Sequence, residues 1–407
     1  MNSSVAIVGG GIFGATAAFV LKQRGYSVTI FDRSPLPNPD AATTDVSKIV
    51  RMDYGADAFY SRMAGAALMG WERWNAQLDR PLYHQDGFLI LASEEMAPGG
   101  FEFDSFQTIS HMGYPLERLD GGKVGERYPW SGANYPDGYF NPRGGWAESG
   151  RVLENVLQDA IATGVEIRTG VTCSGLLFED GVVRGITTED GEEYPADSVV
   201  VAAGAWTPYL LPWMQDVLWV SGHPVLRFRP EDAEPFSADR FPPWAADIAG
   251  TGWYGFPALP DGSVKVANHG PGIRVDPRDP RKVPEGTEER FREFLAATLP
   301  ALADAPLVEQ RLCLYCDSID GDFWIDKDPE HEGLVVASGG SGHAFKFAPL
   351  LGGLIADAVE GLSDRWAHRF LWREPTHRVK EAARYSDHAV NRRAEYGPSP
   401  TPPDPDR

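Results

Sequence analysis

The chain has 407 residues, 43% of them hydrophobic, which is enough for two cored units and more than one simple core usually holds. Its 37 Lys plus Arg against 58 Asp plus Glu give a formal charge of -21, which opposes binding to phosphate backbones or anionic membranes and disfavours nucleic acid as a partner. No stretch approaches the roughly eighteen apolar residues of a membrane span, no basic leader precedes the first strand, and three cysteines are too few for a disulfide framework, so a cytoplasmic protein is expected.

Residues 5–8 form a short β-branched run, a glycine turn follows, and the small and apolar residues 15–24 suit a helix packed on a sheet. Gly25 ends that helix, and 27–31 reads as a second buried strand, making a right-handed βαβ crossover. A proline-broken loop at 35–39 leads to helical periodicity over 62–78. From about 83 to 143, short strands, turns and many Gly, Pro and aromatic residues predict an inserted antiparallel region. A helix over 151–163, a strand at 165–168, a hairpin of 176–178 with 182–186 around Asp180-Gly181, and a strand at 198–202 follow. Residues 217–307 are again β- and loop-rich, with an amphipathic helix near 287–299. A last buried strand, 334–337, meets a glycine-rich turn and a helix over 349–359.

Gly9, Gly11 and Gly14 fit G-x-G-x-x-G directly after a strand and at the opening of a helix. Gly9 permits the tight turn, Gly11 lets backbone approach a pyrophosphate, and Gly14 allows close helix-to-strand packing, while the helix N-terminus offers free N–H groups. Asp32, eighteen residues after Gly14, can accept hydrogen bonds from ribose hydroxyls; a carboxylate there argues against a 2′-phosphate but does not separate NAD from FAD. Three glycines in a turn can also serve the backbone alone. The run from Val199 through Gly204 to Trp206 is a strand entering small residues, of the kind that passes beside FAD, and its plainer reading is a core strand and turn. Val171 joins the expected cofactor wall.

The economical architecture is an α/β, Rossmann-like FAD-binding domain of the glutathione-reductase type, assembled from 1–82, 145–215 and 310–378. A β-rich α+β substrate domain with antiparallel sheet would comprise 83–144 and 216–309. The polar tail, 379–407, holds five prolines after residue 396 and is expected to be poorly ordered.

Three segments near the C-terminus are specific: Arg311-Leu312-Cys313-Leu314-Tyr315, Asp322-Phe323-Trp324-Ile325-Asp326, and Gly339-Gly340-Ser341-Gly342-His343-Ala344-Phe345-Lys346-Phe347. With the N-terminal glycines, they resemble the monomeric sarcosine oxidase family, which includes fructosyl amino acid and pipecolate or saccharopine oxidases. The similarity spans nearly all of residues 5–360 and is weakest through the substrate domain. It implies a thioether from Cys313 to the flavin and a substrate carboxylate held by Arg51 and Lys346. It also implies oxygen activation by Lys265, and substrate-side roles for His269, Tyr254 and Tyr315. Gly340, Gly342 and Lys346 belong to the turn that would face the flavin. Without the resemblance, the cations read as solvated surface groups, and His269 and the tyrosines as core. Lys48 stands where sarcosine oxidases carry arginine and fructosyl and pipecolate-type enzymes carry lysine. His269 stands where the fructosyl enzymes are acidic, so neither subfamily's substrate transfers. Cys313 and Cys316 spell C-x-x-C, but a structural zinc needs more ligands than Cys173 can complete, no metal is expected, and Cys316 reads as core.

The resulting expectation is a monomeric, FAD-dependent oxidase of a secondary-amine amino acid, with O2 as acceptor and hydrogen peroxide as product. The alternatives are a flavin dehydrogenase feeding a carrier, an oxidase of glycated amino acids, and a non-catalytic dinucleotide-binding protein.

Overall fold

A computed structural model describes residues 3–374 and 383–384. The tail at 379–407, apart from Ala383 and Arg384, lies outside the described residues.

The expected βαβ unit is present. Ser4–Val8 and Ser27–Asp32 pair in parallel, and the helix between them spans Ile12–Gln23. That helix begins three residues before the predicted start, because the Thr43 hydroxyl accepts the Ile12 N–H at 3.1 Å and caps it from a distant loop. Among the described residues, six strands form this sheet in the order Trp324–Lys327, Leu334–Ser338, Ser198–Val201, Ser4–Val8, Ser27–Asp32, Glu166–Thr169. All neighbours are parallel except the first pair. Val5, Ile7, Val200, Val335 and Ala337 put apolar side chains under the helices Ile12–Gln23 and Ala348–Glu360. Those two helices touch through Gly352, where a Cβ would lie 2.4 Å from the Thr16 carbonyl.

The predicted hairpin around Asp180-Gly181 is the antiparallel pair Cys173–Glu179 and Val182–Thr188, with Asp180 and Gly181 both at positive φ. The helix expected at 62–78 is Ala58–Asn75, started early by Asp57, whose carboxylate accepts the Phe59 and Tyr60 N–H groups at 3.1 and 3.2 Å.

A larger sheet is mainly antiparallel and forms the second layer system. Its strands come from Phe88–Ala92, Glu117–Asp120 and Asp137–Asn141, and from the region between Leu218–Phe228 and Leu307–Ser318. Residues 83–143, read from the sequence as short strands and turns of an inserted antiparallel region, also contain the helices Phe101–His111 and Gly121–Arg127. Phe101, Ser105 and Ile109 recur every fourth residue on the buried face, a period that the surrounding turns and aromatics conceal. Tyr83–His84 pairs with Gly145–Ala147 in a small separate sheet that also contains Lys48–Val50. The strand Leu307–Ser318, which overlaps the piece 310–378 assigned to the FAD-binding domain, runs along Leu218–Phe228 in the larger sheet. Among the described residues, no helix is long and apolar enough to cross a membrane. The architecture is thus a Rossmann-like α/β layer joined to a sheet-rich layer.

Candidate active site

Two cavities meet between the sheets. The larger, about 500 Å3, runs along the C-terminal ends of the parallel strands and is lined by Gly9, Gly11, Asp32, Val171, Gly204, Gly340 and Gly342. The smaller, about 70 Å3, is lined by Arg51, Tyr254, Lys265, His269, His343 and Lys346, among others. Lys48, Tyr315, Gly342 and Phe345 belong to the walls of both.

Each glycine of the first turn does a different job. Gly9 has φ +101° and lies against Ala202, while a Cβ on Gly14 would stand 1.9 Å from the Gly9 carbonyl oxygen, so Gly14 lies beneath the cavity as a packing contact. Gly11 and Gly204 are open positions: among the described residues, the nearest atom to a Gly11 Cβ is Thr43 Oγ1 at 3.5 Å, and a Gly204 Cβ meets nothing within 4 Å. Asp32 Oδ2 accepts the Gly10 N–H at 2.9 Å and Oδ1 accepts the Ser34 N–H at 3.0 Å, which aims the carboxylate along the cavity wall. An elongated cleft with a glycine backbone floor and a fixed carboxylate at the second strand's end fits the ADP half of a dinucleotide.

The second glycine turn is tied to the strand bearing Cys313. The Ser341 N–H donates to the Cys316 carbonyl at 3.0 Å, and Ser318 N–H donates to Ser341 Oγ at 3.1 Å. Gly339, Ser341 and Gly342 all have positive φ, and a Cβ on Gly342 would collide with the Tyr315 ring at 2.4 Å. One turn of 3-10 helix, Ala344–Phe347, separates these glycines from the apolar helix Ala348–Glu360. Lys346 lies in that turn and faces the smaller cavity, not the larger one.

Lys346 Nζ donates to Tyr54 Oη and to the His343 carbonyl, both at 2.9 Å. Tyr54 Oη lies 3.0 Å from His343 Nδ1, and His343 Nε2 is 2.9 Å from the Gly321 carbonyl. In the neutral ring that carbonyl fixes the proton on Nε2, so Nδ1 accepts from Tyr54. Arg51 and Lys346 both lie over the Tyr54 ring, at 5.0 and 5.1 Å from its centroid, which puts two buried cations on one wall. Phe88, Ala245, Ile248 and Phe256 supply the apolar part of the smaller cavity.

Lys265 is 2% exposed and donates to Asp45 Oδ2 at 2.7 Å and to the Ser47 carbonyl at 2.6 Å. Burial pulls its ammonium down to about 8, and the charge of Asp45 limits the fall. Asp45 is held well below the usual carboxylate range, because Lys265, Lys48 and Arg311 outweigh its burial. Tyr254 and Tyr315 are hydrogen-bonded to each other, and burial raises both phenols.

Cys313 is 2% exposed, packed with Val225, Ala267 and Tyr315 and opposite His223 in the strand pair, and it lines neither of the two cavities, although its neighbours Leu314 and Tyr315 line the larger one. Lys265 and Tyr254 lie within electrostatic reach of its thiol. Cys316 is a core thiol as expected, yet it also reaches the larger cavity; burial pushes it up to about 11.

The sequence reading missed several groups. His223 stacks on Tyr315 with centroids 4.1 Å apart, and its Nε2 accepts from Arg384 Nη2 at 3.2 Å. Burial, Arg384 and His269 together hold His223 neutral. Arg384 also pairs with the buried Asp317 at 2.9 Å. Tyr54 and Asp45 each lie three residues from a flagged cation, and His343 stands inside the quoted glycine motif, so their positions were visible although their contacts were not. Arg384 carried no signal, because its polar neighbourhood reads as tail.

The model of the FAD dependent oxidoreductase family, DAO, matches residues 4–358. Monomeric sarcosine oxidase of Bacillus sp. (strain B-0618) is 26% identical over 361 residues, covering 86% of this chain and 90% of that protein. L-saccharopine oxidase of Schizosaccharomyces pombe is 28% identical over 416 residues, covering 92% and 94%. The crystal structure of a fructosyl amine: oxygen oxidoreductase, Amadoriase I from Aspergillus fumigatus, superposes with a TM-score of 0.78 at 28% identity, covering 91% of this chain and 90% of that one. The larger cavity is where such a cofactor fits, and the chain belongs to the DAO family of FAD dependent oxidoreductases.

Proposed function

We propose that this protein oxidises the C–N bond of a small secondary-amine amino acid, N-methyl, cyclic or N-substituted, using O2 as acceptor. The observation that carries this reading is the pair of buried cations, Arg51 and Lys346, on one wall of a cavity that shares Tyr315 and Gly342 with the cofactor cleft. Two fixed cations suit a carboxylate, and Arg51 can meet it in bidentate fashion. Phe88, Ala245 and Ile248 take the apolar part of the substrate. His269, Tyr254 and Tyr315 line the same space and orient the amine. Among the described residues that wall holds no carboxylate, and the nearby Asp45 is bound to Lys265, so the substrate amine binds neutral and needs no strong base.

Bound FAD would take a hydride equivalent from the carbon next to nitrogen, leaving an imine, and O2 would then receive two electrons and two protons to give hydrogen peroxide. Lys265, a buried ammonium beside the shared wall, would stabilise the negative charge that first appears on oxygen. Cys313 is the residue that would tether the flavin.

A glycated amino acid is the second reading, favoured by Lys48 and by the likeness to a fructosyl amine oxidoreductase. The test is a peroxide-coupled panel of sarcosine, other N-methyl amino acids, pipecolate, saccharopine and fructosyl amino acids, run beside dye reduction under argon. Peroxide with a secondary amino acid is expected. Dye reduction without peroxide would make the protein a dehydrogenase, and a panel in which no amine bleaches the flavin would end the assignment.

A further inference from the structure

The oxygen-side lysine does not stand alone in its pocket. Asp45 lies in the loop between the strands Ser27–Asp32 and Lys48–Val50 and is fixed on every side. Its carbonyl accepts the Gly150 N–H at 2.9 Å and the Ser149 hydroxyl at 2.7 Å, and its own N–H donates to the Thr43 carbonyl at 3.0 Å. Arg311 pins the same loop by donating to the Thr44 carbonyl at 2.7 Å. One carboxylate oxygen accepts the Val46 N–H at 2.7 Å, and the other takes the Lys265 ammonium at 2.7 Å, with Lys48 Nζ 3.6 Å away. The Lys265 ammonium also sits 4.5 Å from the Phe256 ring centroid.

The charged groups facing Lys265 are therefore Asp45 and Lys48, while Arg311 acts on Asp45; Tyr254 faces the same pocket as a neutral phenol, and the Cys313 thiol is within electrostatic reach. Without the carboxylate, the buried Lys265 ammonium and the partly exposed Lys48 ammonium would share the space unopposed. Burial alone strips protons from lysine, so a cation needed for oxygen chemistry requires a counter-ion that the fold supplies independently of substrate.

We propose that Asp45 is a positioning residue for the oxygen reaction: it holds the Lys265 ammonium in place and keeps it charged at neutral pH. The proposal rests on the reading that Lys265 serves the O2 step.

Asp45→Asn keeps the shape and removes the charge. In the purified holoenzyme labelled with 13C-lysine, the Lys265 signal is identified by its loss in Lys265→Met. Its titration midpoint is expected to fall by about 1–3 pH units in Asp45→Asn, and Asp45→Glu should restore it. The rate at which O2 reoxidises substrate-reduced enzyme should follow the same displaced midpoint. Below that midpoint it should reach or exceed the parent rate, because the cation is no longer offset by a carboxylate, an outcome that mere loosening of the loop would not give. Anaerobic reduction by substrate should keep its own pH profile. Lys48→Met removes the competing cation and should move the midpoint upward, which tests the same balance if Asp45→Asn fails to fold. An unmoved Lys265 midpoint in Asp45→Asn, or in Lys48→Met should the former not fold, would overturn the proposal. If Lys265→Met itself left reoxidation unchanged, the oxygen role of Lys265 would fall, and with it the proposal, even with the midpoint displaced.

Discussion

Gly11 and Gly14 stand three residues apart in one turn, yet adding a methyl group to each should do opposite things. At Gly14 the new Cβ would lie 1.9 Å from the Gly9 carbonyl oxygen and 3.2 Å from Ile7 Cγ2, so the helix has to back away from the strand. Overpacking of this kind costs about 1–3 kcal/mol, and each kcal/mol lowers Tm by roughly 2–4 °C in a unit of a few hundred residues. At Gly11, Thr43 Oγ1 at 3.5 Å is an ordinary contact and φ is -72°, so the fold should keep the parent Tm. The methyl would instead occupy the cleft where backbone N–H groups meet a pyrophosphate. Tm measured on flavin-free fractions and the flavin-to-protein ratio from visible absorbance separate the two. Gly14→Ala is expected to lose both stability and flavin, and Gly11→Ala to lose flavin alone. A Gly14→Ala protein with unchanged Tm, or a Gly11→Ala protein with full flavin, would refute this division of labour between the two glycines.

Three further outcomes are expected. Acid-precipitated parent protein should give a yellow pellet and Cys313→Ala a colourless one with free flavin in the supernatant; identical pellets would exclude the thioether. Arg384→Ala leaves Asp317 buried and uncompensated, so a urea titration should show a loss of about 3–5 kcal/mol, much of it recovered in Arg384→Ala with Asp317→Asn; strictly additive losses would deny the pair. Burial holds the Glu102 carboxyl at about 7 against an ordinary 4.5. The folded state thus keeps a proton that the unfolded chain releases, so the stabilisation is complete below about pH 4.5 and is lost as pH rises through about 7. The loss is on the order of 3 kcal/mol. Glu102→Gln should flatten that part of the pH–stability curve, and an unchanged slope would show that the carboxyl ionises normally.

Local structure was legible in the sequence wherever a short-range rule applied. The strand 5–8, Gly9, Gly11, Gly14 and Asp32 specify a βαβ dinucleotide unit because turn geometry, helix packing and ribose binding act within about thirty residues of chain. Asp180-Gly181 specified a hairpin for the same reason. The resemblance carried by Arg311–Tyr315 and Gly339–Lys346 pointed to Cys313, Lys265, Arg51 and Lys346, residues distant in sequence that no local pattern links. What these groups touch emerged from the three-dimensional packing alone. The start of the first helix depends on Thr43, the charge of Lys265 on Asp45, 220 residues away, and the state of His223 on Arg384, 161 residues away. A buried charge is governed by its spatial neighbours, and chain order does not record who those neighbours are.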